Sequence, residues 1–165
     1  MDYICEAASP LGKLTLASDG ARLTGLWIEG QKHFGATLSN TRMAEDLPLF
    51  VEVRDWLSEY FGGGDPAVHF PLAPKGSEFR EAVWDILRET RRGELITYGQ
   101  IAKRISASRG SRKTSPRAVG GAVGHNLISI IIPCHRVVGS GGSLTGYAAG
   151  TDKKLYLLKL EGAIQ

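Results

Sequence analysis

The stretch IIIPCHRVVGSGG, residues 130–142, decides how this chain is read. Three isoleucines lead into Pro133, Cys134, His135 and Arg136; two valines and a glycine-rich segment follow. The apolar run reads as the end of a buried strand. A free cysteine there ordinarily behaves as a small inert hydrophobe. Its neighbours change the expectation: a base or a cation close to a thiol lowers its pKa, and the thiolate is the nucleophile. Consecutive side chains of a strand point to opposite faces, so contact between Cys134 and His135 requires a bend at Pro133 or a bridging water. A histidine acting as a base also needs a partner on its other nitrogen. Glu161, beside an otherwise apolar helical stripe, is the candidate. The structural alternatives are a buried inert thiol, a satisfied core histidine and an exposed helix-end carboxylate. Arg136 reads as a brace in either case. Spacing alone does not separate a catalytic from a structural thiol.

Upstream, Ser115-Pro116 is an N-cap followed by proline in the first turn, opening a helix through Arg117, Ala118, Val119, Ala122 and Val123. Thr97-Tyr98-Gly99-Gln100 fits the capping box and predicts a helix over 98–105. The connection SASRGSRKTS, residues 106–115, is polar and basic. Two short helices, the second basic at its start, suggest a helix-turn-helix, with a plain helical hairpin as the alternative. Before them, Ser77 caps a helix with Phe79, Val83, Ile86 and Leu87 on one face and Arg88, Arg91 and Arg92 near its end. A final helix over 152–161 places Leu155 and Leu158 on a core face.

The N-terminal third alternates instead. Residues 3–7, 13–17 and 23–28 read as strands separated by the turns SPLG and SDGA. Residues 49–61 carry an amphipathic helical stripe ended by Gly62, Gly63 and Gly64. The following glycine- and proline-rich segment predicts a boundary near residue 75. The expected architecture is α/β: a small N-terminal lobe of antiparallel sheet plus helix, residues 1–74, and a mainly helical lobe carrying the helix-turn-helix, residues 75–165.

Of the 165 residues, 42% are hydrophobic and 22% charged, as in a soluble globular protein. Two distant cysteines form neither a disulfide framework nor a zinc site, and Cys5 reads as a buried strand residue. No apolar run is long enough to span a membrane, and the N-terminus lacks a secretion signal. An intracellular, reducing compartment is expected, the cytoplasm or a nucleus. Residues 1–74 hold 5 Lys and Arg against 10 Asp and Glu; residues 75–165 hold 15 against 7. The asymmetry suggests a polyanion partner for one lobe, the alternative being a solvated mixed-charge surface.

RAVGGAVGHN, then PCHRVVGSGGSLTGYAAG, then LLKLE closely resemble the O6-alkylguanine-DNA alkyltransferases, the methylated-DNA–protein-cysteine methyltransferases. FREAVWDIL and GELITYGQIA resemble the helices before the motif, so the likeness covers about residues 79–161, with a weaker echo in SPLGKLTLAS. The resemblance implies single-turnover repair in which Cys134 takes the alkyl group from O6-alkylguanine in DNA, with O4-alkylthymine as a related candidate. It implies that His135, oriented by Glu161, accepts the thiol proton through water. Tyr98 donates toward O6, and Asn126 is the hinge asparagine. Val137, Tyr147 and Ala148 fall where relatives line the base pocket. The partner is double-stranded DNA entered from the minor groove by a monomer, with no membrane, metal or organic cofactor. Ser115, Ala118, Gly120 and Gly121 lie on the helix that approaches DNA, and Arg117 stands where relatives insert an arginine in place of the flipped base.

The chain also departs from that pattern. SASRGSRKTSP replaces a short turn and adds Arg109, Arg112 and Lys113, either as contacts to DNA backbone or as a solvated loop. Leu127 follows Asn126 where proline is common, and Ala148-Ala149 replaces a more usual glycine pair. Two rival functions remain at this stage: a helix-turn-helix sensor that binds alkylated bases without transfer, and a Cys-His hydrolase.

Overall fold

The computed structural model describes residues 1–110 and 112–165. They form two compact units. The first contains Met1–Lys75 together with Leu127–Ile131, and the second contains Gly76–Asn126 and Ile132–Gln165. Ser111, inside the basic connection, lies outside the described residues.

In the first unit the strands β1 (Asp2–Ala7), β2 (Leu14–Ser18), β3 (Leu23–Ile28) and β4 (Thr41–Met43) make one sheet in the order β3-β2-β1-β4. The first turn closes because the Leu11 N–H donates to Ser9 Oγ (3.1 Å) and Gly12 takes a positive φ of 101°. β1–β2 and β2–β3 are antiparallel, as the alternating pattern predicts, but β4 runs parallel to β1, so the sheet is mixed. β4 is three exposed residues long and carries no alternation that would reveal it. Helix α1 (Pro48–Phe61) starts with proline in its first turn and buries Leu49, Phe50, Val53, Leu57 and Tyr60.

Residues 127–131 extend this unit. The Leu26 N–H donates to the Leu127 carbonyl (2.8 Å) and the Ser129 N–H to the Leu26 carbonyl (2.9 Å), a short parallel bridge beside β3. Gln31 Oε1 accepts from both the Ile28 N–H (2.7 Å) and Ser129 Oγ (3.1 Å). Ile130 adopts a left-handed φ of 72°, a strained choice for a β-branched residue.

The second unit is mainly helical. Ser77 caps α2 (Glu78–Glu89), Thr97 and Gln100 form the complete capping box of α3 (Tyr98–Ser108), and Ser115 caps α4 (Pro116–Gly124). α2, α3 and α4 bury Val83, Ile86, Leu87, Ile101, Ala102, Ile105, Val119, Ala122 and Val123, and Trp84 Nε1 donates to the Ala122 carbonyl (2.9 Å). Two-residue strands β5 (Ile96–Thr97) and β6 (Val137–Val138) pair in parallel, a link too short for periodicity to show. Helix α5 (Thr151–Leu160) buries Lys154, Leu157 and Leu158, and Leu155 is only half-buried. The core face of α5 is therefore turned from the expected Leu155–Leu158 line. Among the described residues no helix is long and apolar enough to cross a membrane.

Candidate active site

Cys134 begins a single 3₁₀ turn, Cys134–Arg136, rather than ending a strand. The bend at Pro133 supplies it, and the Cys134 N–H donates to the Ile132 carbonyl (2.8 Å). The thiol is 4% exposed. Burial pushes its pKa up from the ordinary thiol value. Four influences oppose that: a hydrogen bond from the Asn126 side chain, the charge of Lys154, the backbone N–H of Cys134 itself, and the nearby Tyr147 side chain. Asn126 Nδ2 also donates to the Ile132 carbonyl (2.8 Å), so one amide fixes the bend and touches the sulfur. The sulfur is buried yet ringed by polar donors.

His135 is fully buried, with Nε2 2.6 Å from Glu161 Oε2. Burial pushes the imidazole below its usual pKa, and the Glu161 carboxylate pulls the other way. The neutral ring donates Nε2–H to Glu161 and leaves the Nδ1 lone pair as the basic site. Nδ1 has no hydrogen-bond partner among the described residues. Glu161, the C-cap residue of α5, is held on its other side by Arg136: Nε donates to Oε1 (2.8 Å) and Nη2 to Oε2 (3.0 Å). Arg136 Nη1 donates to the Thr90 carbonyl at the end of α2. The guanidinium braces the carboxylate that orients the imidazole, and Glu161 is not the exposed helix-end group of the alternative reading.

The sequence reading missed Lys154. Its side chain is fully buried, and Nζ donates to the carbonyls of Val137, Thr145 (3.2 Å) and Gly146 (3.1 Å). Burial pushes its pKa down to about 8, with a Cys134 thiolate acting in the opposite sense. Lys154 shares one face of α5 with Leu157, Leu158 and Glu161, at i, i+3, i+4 and i+7. That spacing was the available signal, obscured because lysine counts as polar.

Tyr98 opens α3, and its hydroxyl donates to the Thr145 carbonyl (3.3 Å). Burial, then the nearby Cys134 charge, raise its pKa, so the phenol stays a donor. Gly146 has a φ of 64°, and a Cβ there would lie 3.7 Å from Tyr98 Oη. Val137 is fully buried in β6. Tyr147 and Ala148 are half-buried in a turn closed by the Gly150 N–H on the Tyr147 carbonyl (2.9 Å). Asn126, Lys154 and Tyr147 thus act on Cys134, whose charge in turn acts on Tyr98, and nothing among the described residues places Ala148 against the sulfur.

On α4, Ser115, Arg117, Ala118 and Gly121 are exposed, and Val119, Ala122 and Val123 face inward. Gly120 sits so that an added Cβ would meet the Tyr98 ring at 3.8 Å. Apart from Arg117, the exposed face of α4 is small and smooth beside Tyr98.

Comparison with known proteins agrees along the whole chain. Residues 3–74 match the family described as 6-O-methylguanine DNA methyltransferase, ribonuclease-like domain, and residues 78–163 match its DNA binding domain. Methylated-DNA–protein-cysteine methyltransferase of Haemophilus influenzae is 42% identical over 160 residues, covering 96% of this chain and 86% of that protein. The Methanosarcina acetivorans protein of the same name is 43% identical over 162 residues, covering 98% and 99%. A crystal structure of Mycobacterium tuberculosis OGT in complex with DNA superposes with a TM-score of 0.85 at 38% identity, covering 98% of this chain and 93% of that one. With both family domains matched and relatives above 40% identity end to end, this chain belongs to the 6-O-methylguanine DNA methyltransferases.

Proposed function

We propose that this protein repairs alkylated DNA by one direct transfer, from O6 of guanine to its own Cys134. The observation that carries the reading is the buried sulfur with Asn126, Lys154 and Tyr147 around it, next to the His135–Glu161 pair. The thiol proton passes to His135 Nδ1 through water, and Glu161 and Arg136 stabilise the imidazolium that forms. The S–C bond forms as the C–O6 bond breaks, and the electron pair of that bond leaves with the guanine. Tyr98 Oη donates toward O6 and spares the leaving base a full negative charge. Val137, Tyr147 and Ala148 flank the base. No step regenerates the thiol, so each molecule acts once. A persistent free thiol suits a reducing compartment such as the cytoplasm.

A buried sulfur cannot meet a base stacked inside a duplex, so the nucleotide must be extruded. The surface of α4 supports this. An added Cβ at Gly121 meets nothing within 4 Å, so the fold itself does not require glycine there. Mid-helix glycine costs about 1 kcal/mol relative to alanine. A helix that accepts this cost at an exposed position suits close approach of another surface. Arg117, exposed in the first turn, enters the stack from the minor groove and fills the space of the extruded base, flanked by Ser115, Ala118 and Gly120.

Intact-mass measurement after incubation with O6-benzylguanine tests the reading. The expected result is a gain of one benzyl group per molecule, abolished by Cys134→Ala. No gain alongside DNA binding would make the protein a sensor of alkylated bases. Repeated turnover of an ester would make it a hydrolase.

A further inference from the structure

The connection between α3 and α4 carries charge that the fold does not use. Residues 103–117 hold six Lys and Arg side chains and no carboxylate. Arg104 pairs with Glu89 on α2. Arg109 lies over the Phe79 ring, 5.7 Å from its centroid, and donates to Thr114 Oγ1 (3.4 Å). Thr114 is almost fully buried, and its N–H donates to Ser106 Oγ (3.0 Å). The connection is therefore pinned to α3 at Ser106 and to α2 through Arg109. Between those pins and the Ser115 cap stand Arg112 and Lys113, both exposed. Among the described residues neither meets a carboxylate in an ion pair.

Adjacent like charges held on a pinned loop repel one another, and a polyanion relieves that repulsion. Position selects the polyanion. At most about 18 Å of chain separates Arg112 from Arg117. With Arg117 in a minor groove about 6 Å wide, the sugar–phosphate rails lie within reach of side chains that long. We infer that Arg112 and Lys113 are a phosphate clamp, each taking one backbone phosphate beside the point where α4 enters DNA. The inference rests on the reading of α4 as the DNA-entering helix. It assigns a partner to a connection that sequence left open between DNA contact and solvated loop.

The test is the salt dependence of duplex binding in the Cys134→Ala background, read by fluorescence anisotropy on a duplex containing O6-methylguanine. Each phosphate contact contributes about 0.9 to the slope of log K against log salt. Arg112→Gln/Lys113→Gln should lower that slope by about 1.8, equally on undamaged duplex, because phosphates carry no sequence. With Cys134 intact, the same pair of changes should leave the rate with free O6-benzylguanine unaltered. Arg88→Gln/Arg91→Gln removes two exposed cations of α2 and its C-terminal end, and should move the slope far less. An unchanged slope in the first variant, or an equal drop in the control, overturns the clamp while benzyl transfer keeps the repair reading intact. If the parent protein neither binds duplex nor gains a benzyl group, the repair reading falls and the clamp with it.

Discussion

At Cys134 two effects of opposite sign meet: burial holds the proton on, and Asn126, Lys154 and Tyr147 draw it off. Lys154 is the one full charge among the three, so its removal has the clearest sign. Lys154→Met should move the pH–rate profile of benzyl transfer toward alkaline pH. A shift of one unit makes transfer at pH 7 about tenfold slower, since each unit is a tenfold change in thiolate. Initial rates from pH 6 to 9 measure it, and a profile that keeps its midpoint would remove Lys154 from the ionisation. Glu161→Gln acts differently. It leaves the Arg136 guanidinium buried without its carboxylate and should cost about 3–5 kcal/mol in urea unfolding, besides slowing transfer. His135 gives a pH signature. Its folded pKa lies below the unfolded value near 6.5, so below that pH the unfolded chain takes up a proton that the folded chain resists. Stability should fall as pH drops below about 6.5, and the slope should flatten in His135→Asn.

Among the elements, α4 can be tested for what the fold needs apart from what the proposed DNA contact needs. Gly121→Ala should stabilise the protein by roughly 0.5–1 kcal/mol, because the position is helical and open, yet it should weaken duplex binding. Parallel denaturation and anisotropy titrations check both halves; a gain in stability without loss of affinity would refute close approach at that residue. The helix starts were legible in sequence because capping is local: Ser77, Thr97 with Gln100, and Ser115 each satisfy an N–H three residues away. The elements that sequence missed are set by distant partners. β5 and β6 are two residues each and exist through one another, and β4 exists through β1. The isoleucine run imitates a strand, but Pro133 turns it into the 3₁₀ bend that presents Cys134. The His135–Glu161 pairing was legible from motif chemistry. Lys154 was not, because its three carbonyl partners come from residues 137 to 146, which no pattern within α5 reveals.

At the scale of the molecule, the excess positive charge lies in residues 75–165, which also carry α4, the basic connection and the thiol. The first unit is acidic and takes up one piece of the later chain, residues 127–131. That piece lies directly between Asn126 and Ile132, the two residues joined by the amide that bends the thiol segment. Cutting the chain at the boundary near residue 75 would therefore not release two self-sufficient parts. A fragment of residues 76–165 would expose Leu127, Ile128, Ile130 and Ile131 to water, and a fragment of residues 1–75 would lose the Leu26–Ile128 bridge beside β3. Each alone should aggregate or stay partly unfolded, yet co-expressed they should recombine into a non-covalent complex that accepts one benzyl group. The molecule is thus suited to fragment complementation, with restored alkyl acceptance as the readout.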